Sequence, residues 1–327
     1  MKGEKKMSIN IRNYNLQLFA NMNTQTTGTA TLSDEMKTYY SDYLIDNAVP
    51  KLVHDQFGQK HPIPKNGGKT IEFRKYSPLP KLLTPLTEGV TPDGQSLTVT
   101  TVEATIDQYG GYVTISDMLQ LTAIDNNMVQ ATKLLGNQAG ASLDTITREV
   151  LNGGTNVVYA GGAASRSALT AENKLTVDDI KKAVRALKNQ NAEKIGDSYV
   201  AIIHPDVTYD LTNDPQWQAV KDYDPKDWYE GEIGKIAGVR FVETTEAKIF
   251  EGGVYSTLVL GDNAYGVTEV EGGGLQHIVK QLGSAGTADA LDQRATVGWK
   301  ATKVAERLVE QFMVRIESKC TFSGAAN

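Results

Sequence analysis

The chain has 327 residues, 40% hydrophobic and 22% charged, a composition of ordinary globular proteins and a length of roughly two domains at about 150 residues each. Its net charge of −6 argues against a general nucleic-acid binder, which works by neutralising phosphates with Lys and Arg, while leaving room for a local basic patch. The lone cysteine, Cys320, excludes an internal disulfide framework, and a chain of this size can bury about three quarters of its unfolded surface without staples.

No stretch approaches the roughly 20 apolar residues that span a bilayer; Tyr199–Ile203 is a typical short run. Met1-Lys-Gly-Glu-Lys-Lys6 resembles the start of a signal peptide, but the polar Ser8–Asn15 supplies no apolar core, so a cytoplasmic product is expected. Met7 is a second candidate start.

Residues 1 to about 31 read as an arm, because Asn21–Thr31 is Thr-rich and too polar to fold alone. Ser33 then caps an expected helix, with Asp34 and Glu35 at its positive end and Met36, Tyr39, Tyr40, Tyr43 and Leu44 at helical spacing, until Pro50. Asn66-Gly-Gly68 predicts a turn, and Thr70–Tyr76 alternates as a strand with Ile71 and Phe73 on one face. Pro78, Pro80 and Pro85 bar regular pairing, and Thr91-Pro-Asp-Gly94 fits a type I turn. From Leu97 to Ser116 the chain reads as strand again, with parity shifts near Thr100 and Tyr109 that suggest bulges. Residues 65–116 therefore predict one long two-stranded excursion with a Pro-rich tip. Such a ribbon is marginal alone and needs a partner surface, in its own domain or on a neighbour.

Ile124, Met128, Ala131, Leu134, Leu135, Ala139, Leu143, Ile146 and Val150 predict a helix of about 40 Å at 1.5 Å per residue, ending at Asn152-Gly-Gly154. Gly136 and Gly140 within it predict close packing. After a Gly/Ala/Ser-rich stretch, Thr176 caps an amphipathic helix to Leu187. The strand Tyr199–Ile203 follows, then a helix opening at Pro205 and strands at 239–245 and 254–260. This order predicts an α/β or α+β unit over 176–275. The tail carries both periods: strand-like at Val297, Trp299 and Ala301, helix-like through 301–312. A long antiparallel pair with an irregular middle is expected there.

Candidate chemistry is sparse. Gly68-Lys69-Thr70 ends like a phosphate-binding loop, but Ile63 stands where that motif needs glycine, and a strand follows instead of a helix. Asp222, Asp224, Asp227, Glu230 and Glu232 cluster, yet Lys226 breaks the calcium-loop spacing. His54, His61, His204 and His277 lack zinc spacing, and His54-Asp55 is merely an adjacent pair. No catalytic, cofactor or metal residue is expected.

Taken in order, the charged start with Asn15-Leu-Gln-Leu-Phe-Ala20, Leu86-Thr-Glu-Gly-Val-Thr-Pro-Asp-Gly94, the long helix, His204-Pro-Asp206, Gly231–Val239, Leu260-Gly-Asp-Asn-Ala-Tyr-Gly266 and Gly286–Lys300 resemble the major capsid proteins of tailed bacteriophages, most of all the podovirus-type subfamily. The resemblance spans nearly the whole chain and implies an α+β fold shared with herpesvirus capsid floors. It implies an arm and helix over 1–64, an extended β-hairpin loop over 65–118 and a peripheral domain with a spine helix over 119–175. An axial domain over 176–275 and a return to the peripheral domain over 276–327 complete it. Its implied function is a self-assembling icosahedral shell enclosing double-stranded DNA, with an encapsulin-like cargo compartment as the alternative. The implied partners are copies of itself in pentamers and hexamers, and scaffolding, portal and decoration proteins, with no membrane. The implied location is the virion, assembled in the bacterial cytoplasm. Phe73, Arg74, Leu86, Glu88, Pro92, Asp93 and Gly94 are the expected contacts between subunits.

Overall fold

A computed structural model describes residues 53–86, 88–91, 93–122, 127–221, 234–284 and 289–327. The expected arm, the helix after Ser33, the acidic cluster at 222–232 and Pro92 lie outside them. The fold is mixed α+β, built on two sheets joined by one long helix.

The first sheet forms around one strand. β1 (Gln59–Lys60) is followed by the ribbon strands β2 (Thr70–Tyr76) and β3 (Val99–Thr105), and then by β4 (Asp107–Ser116). A short helix α1 (Asp117–Thr122) leads to α2 (Asn127–Asn152), then β5 (Val157–Tyr159). The second half contributes α3 (Val177–Asn189), β6 (Tyr199–Ile203), α4 (Pro205–Thr212) and α5 (Pro215–Lys221). The strands β7 (Lys235–Ile236), β8 (Val239–Glu243), β9 (Ile249–Phe250), β10 (Val254–Leu260), β11 (Tyr265–Thr268) and β12 (Gln276–Lys280) follow. β13 (Arg294–Arg307) and β14 (Met313–Ser318) end the order.

β13 serves three partners: β4 along Arg294–Lys303, β12 along Thr296–Lys300, and β11 along Val304–Arg307. One face of this sheet is apolar because alternate residues of β13 and β4 (Ala295, Val297, Trp299, Ala301; Ile115) point the same way. Met128, Ala131, Leu135, Ala139 and Leu143 of α2 pack on it, and each large side chain so buried stabilises by roughly 1.5–3 kcal/mol. Gly136 and Gly140 are buried in this helix, as their position predicts. Leu134, expected on the buried face, is instead exposed.

The second sheet has the order β5-β14-β10-β6-β8-β7, with β9 also on β10. Its centre is β10, buried at every residue, and α3 and α4 cover one face. Thr176 caps α3, accepting from the Asp179 N–H at 3.3 Å. β7 and β8 join through Ala237 and Gly238, both at positive φ, which gives the tight turn that matches strand twist. Glu317 of β14, fully buried, accepts from Arg166 at 2.7 Å and from Arg315 at 2.9 Å.

Two expectations are corrected. The excursion does not run through residue 116: β3 pairs with β2 only to Thr105, and β4 then joins β13. The parity shift near Tyr109 comes from this change of sheet, with no bulge, and the register from Val99 to Thr105 is unbroken at Thr100. The tail is strand to Arg307 with a short turn at Glu310–Phe312, so the helical period is not used; β13 and β14 also pair in different sheets rather than with each other. β13 instead pairs along ten residues with β4, and β14 along six with β10, whose residues are all buried.

The C-terminal half of α2 turns polar inward. His54 is fully buried; its backbone N–H donates to Asp144 Oδ1 at 2.8 Å, and its Nδ1 donates to Asp144 Oδ2 at 2.6 Å. Next to it, Asp55 accepts from Thr147 Oγ1 at 2.5 Å and pairs with the ammonium of Lys303, which also donates to the Leu143 carbonyl at 2.8 Å. Burial pushes the Lys303 amine down, against the attraction of Asp55, so desolvation outweighs the pair. The Tyr265 hydroxyl donates to the His54 carbonyl, and a Cβ on Gly58 would come within 2.5 Å of the Tyr265 ring. Residues 53–60 are thus a strap pinned to α2, β11 and β13.

Lys303→Ala leaves Asp55 a buried, unpaired carboxylate and is expected to cost about 3–5 kcal/mol, read as a drop in the urea midpoint. The double change Lys303→Met with Asp55→Leu removes both charges and should recover most of that loss.

His204 caps α4, and its Nδ1 accepts the Asp206 N–H at 3.1 Å, which a neutral ring does and a protonated ring cannot. Burial lowers its pKa, outweighing the nearby Asp206 carboxylate. A base held neutral in the folded state contributes stability that falls as pH drops below its ordinary 6.5. His204→Asn keeps a capping oxygen without a titrating ring, so its Tm should fall less than that of wild type between pH 7 and pH 5. Equal falls would reject the cap.

Candidate assembly surface

The ribbon that sequence patterning predicts is real, and its two ends differ in chemistry. β2 and β3 pair in register from Thr70↔Thr105 to Tyr76↔Val99, and Ser77 N–H still donates to Thr98 at 3.0 Å. Pairing stops where Pro78, Pro80 and Pro85 remove donors and fix φ. Beyond that point every described residue from Pro78 to Thr98 is exposed.

At its root the ribbon rests on its own chain. Ala104 and Ile106 are buried, and Ile71 and Val102 are half-buried. Phe73 stands with its ring edge-on to His61 at 5.9 Å, and a Cβ on Gly266 would meet that ring at 3.2 Å. Phe73, expected as a contact between subunits, is therefore engaged by its own body as an anchor. Arg74, on the opposite face, is exposed and pairs along its own strand with Glu72 at 3.5 Å.

The tip carries an apolar set that the described residues leave in water. Leu82 is 80% exposed, Leu83 86% and Leu86 75%, with Leu79, Val90 and Leu97 also exposed. Lone surface leucines are ordinary, but a run of them on one projecting element marks a site that something else covers. Glu88, Asp93 and Gly94 of the expected contact set are exposed on the same tip. The turn there is at Glu88-Gly89, with Gly89 at φ 79°; the expected turn at 91–94 includes Pro92, outside the described residues. At the far end of β4 from the ribbon, α1 adds Leu119 and Leu121 as exposed apolar side chains.

Among the expected contacts, Leu86 alone signalled this apolar set. The signal was available: Leu79, Leu82, Leu83 and Leu86 lie between prolines that forbid pairing, so their burial has to come from a surface other than a sheet.

The reactive groups are held in unreactive states. Thr70 of Gly68-Lys69-Thr70 opens β2, so no helix N-terminus faces that loop. Cys320 is pushed up to about 12, first by burial and then by the Asp210 and Asp206 carboxylates, which keeps it a protonated thiol. Among the described residues no group of His, Cys, Asp and Glu could hold a metal ion, and no helix is long and apolar enough to cross a membrane.

A family model described as phage capsid protein matches residues 99–308, from β3 to the end of β13. The chain belongs to the phage capsid protein family. Solved capsids share its fold at low identity. The capsid of Cyanophage P-SCSP1u matches at 15% identity and TM-score 0.64, over 83% of this chain and 89% of that one. The capsid of Ralstonia phage GP4 matches at 16% and 0.63, over 83% and 89%. The virus-like particle from Pyrococcus furiosus matches at 11% and 0.51, over 86% and 99%. No curated protein sequence matches. This is a structural major capsid protein, and its functional site is a surface.

Replacing Leu82, Leu83 and Leu86 together with Ser should leave the melting temperature of the isolated capsid subunit within a degree or two. The same change removes roughly 1.5–3 kcal/mol of burial per side chain from any contact the tip makes. Sedimentation of the variant should therefore show subunits where wild type shows large particles.

Proposed function

We propose that this capsid protein forms an icosahedral shell enclosing double-stranded DNA, with the ribbon tip lying on a neighbouring copy. The observation that carries the reading is the exposed leucine set on an element that, among the described residues, packs by its root alone. Leu86, Glu88, Pro92, Asp93 and Gly94 of the tip, with Arg74 of β2, are its proposed contacts. Closed symmetry repeats one modest contact around pentamers and hexamers, so a contact too weak for a dimer is enough for a shell.

Residues 1–64 act as arm and strap, and α2 is the spine of a peripheral domain to which the tail returns. Residues 176–275, with the second sheet, are the axial domain at the five- and six-fold centres. Assembly in the bacterial cytoplasm draws on scaffolding and portal proteins. A cellular cargo compartment is the second reading; its support is the fold likeness to the Pyrococcus furiosus particle, at a lower TM-score than the phage capsids.

Exchanging residues 81–96 for a short Gly-Ser turn tests the reading. Circular dichroism should report a folded subunit, and electron microscopy should find no shells when the variant is expressed beside its scaffold. Wild-type-like particles from the deletion would overturn the ribbon's role.

A further inference from the structure

We infer that the cleft along the outer face of α3 binds the phosphodiester backbone of duplex DNA, independent of sequence. The inference rests on the reading of this protein as a DNA-enclosing shell, and gives that shell a contact with its contents. The cleft, of about 410 Å³, is lined by Lys181, Val184, Arg185, Lys188, Asn189 and Ala237: three cations and no carboxylate.

Spacings of four and three residues put Lys181, Arg185 and Lys188 on one helix face. Their neighbour Lys182 is neutralised by Asp178 at 2.8 Å and Asp179 at 3.1 Å. Arg185 and Lys188 have no such partner among the described residues, and Lys181 donates to the neutral Gln216 Oε1 at 2.8 Å, with the Asp178 carboxylate acting on it from further off. Lys188, in the last turn, also suits the helix dipole; Lys181 and Arg185, further back, have no such account.

Ala237 lines the cleft from the turn of the neighbouring hairpin. Lys235 and Arg240 stand directly opposite each other across β7 and β8, both exposed, on the sheet face away from α3, where Arg240 also lies over the Phe57 ring at 5.8 Å. Like charges so placed repel. Three cations thus line one concave surface in a chain of net charge −6, with the aliphatic Val184 and Ala237 as its floor. That pattern fits polyanion neutralisation, and the Arg185 guanidinium suits a phosphate's geometry.

The test compares full-length wild type with the K181Q/R185Q/K188Q variant on a short labelled duplex, by anisotropy, from about 50 to about 200 mM salt. Gln preserves helix propensity, and an unchanged Tm checks the fold. The variant should lose about tenfold or more in affinity at low salt, and its slope of log K against log salt should fall by about 2–3, at roughly 0.9 per phosphate. The loss should be equal on unrelated duplex sequences. Unchanged affinity or slope, or a wild type that binds no duplex, overturns the inference. So does competition by inorganic phosphate at millimolar level that matches duplex, which would mark a simple anion site. A variant that keeps duplex but loses polyglutamate would make the cleft a dock for acidic polypeptide, such as the Asp222–Glu232 run of another copy. Electron microscopy of both proteins separates the failures: loss of duplex binding with intact shells concerns the cleft alone, whereas absent wild-type shells would remove the reading beneath it.

Discussion

A lysine ammonium removed from water organises this subunit. Lys303 sits on β13, the strand that unites the first sheet, and its two acceptors come from elsewhere: Asp55 of the strap and the Leu143 carbonyl of α2. Beside it, His54 and Asp144 make the matching pair between strap and helix. Burying four ionisable groups is costly, and the cost is offset only when all the partners are in place at once. The cluster therefore does what an apolar contact cannot: it admits one register of strap, helix and strand.

That constraint explains the divided character of α2. Its first half is a greasy stripe that lies on β13 and β4, while its last turns bury Asp144, Thr147, Arg148 and Asn152. Arg148 donates to the Glu246 carbonyl at 2.9 Å, and Asn152 accepts from Ser256 at 2.5 Å. One helix thus holds the first sheet by shape and reaches the second through these hydrogen bonds and the buried Leu151. The two sheets have no strand in common, and an apolar cluster of Ile202, Leu258, Leu260 and Met313 with Tyr265 and Val267 also joins them.

Regular elements were legible because their signals are local. The stripe of α2, the caps at Thr176 and His204, Pro205 at a helix start and the ribbon strand Thr70–Tyr76 all rest on spacing within one segment. What escaped was set by partners distant in the chain. The parity shift near Tyr109 looked like a bulge because sequence cannot say that β4 leaves β3 for a strand nearly two hundred residues on. His54-Asp55 looked like an incidental pair because its partners, Asp144, Thr147 and Lys303, lie on other elements. Leu134 fits the helical stripe and is nonetheless exposed, since periodicity gives a face but not its width. Phe73 was read as reaching outward, and its place is decided by the absence of a side chain at Gly266.

The unbroken run from β3 into β4 has a mechanical consequence. Seven paired residues at about 3.4 Å each make a stiff arm of about 24 Å, pivoted near Ile106. A swing of roughly ten degrees at that pivot would move the far end by about 4 Å. In the proposed shell, leverage of this kind would let a single sequence meet neighbours at unequal distances.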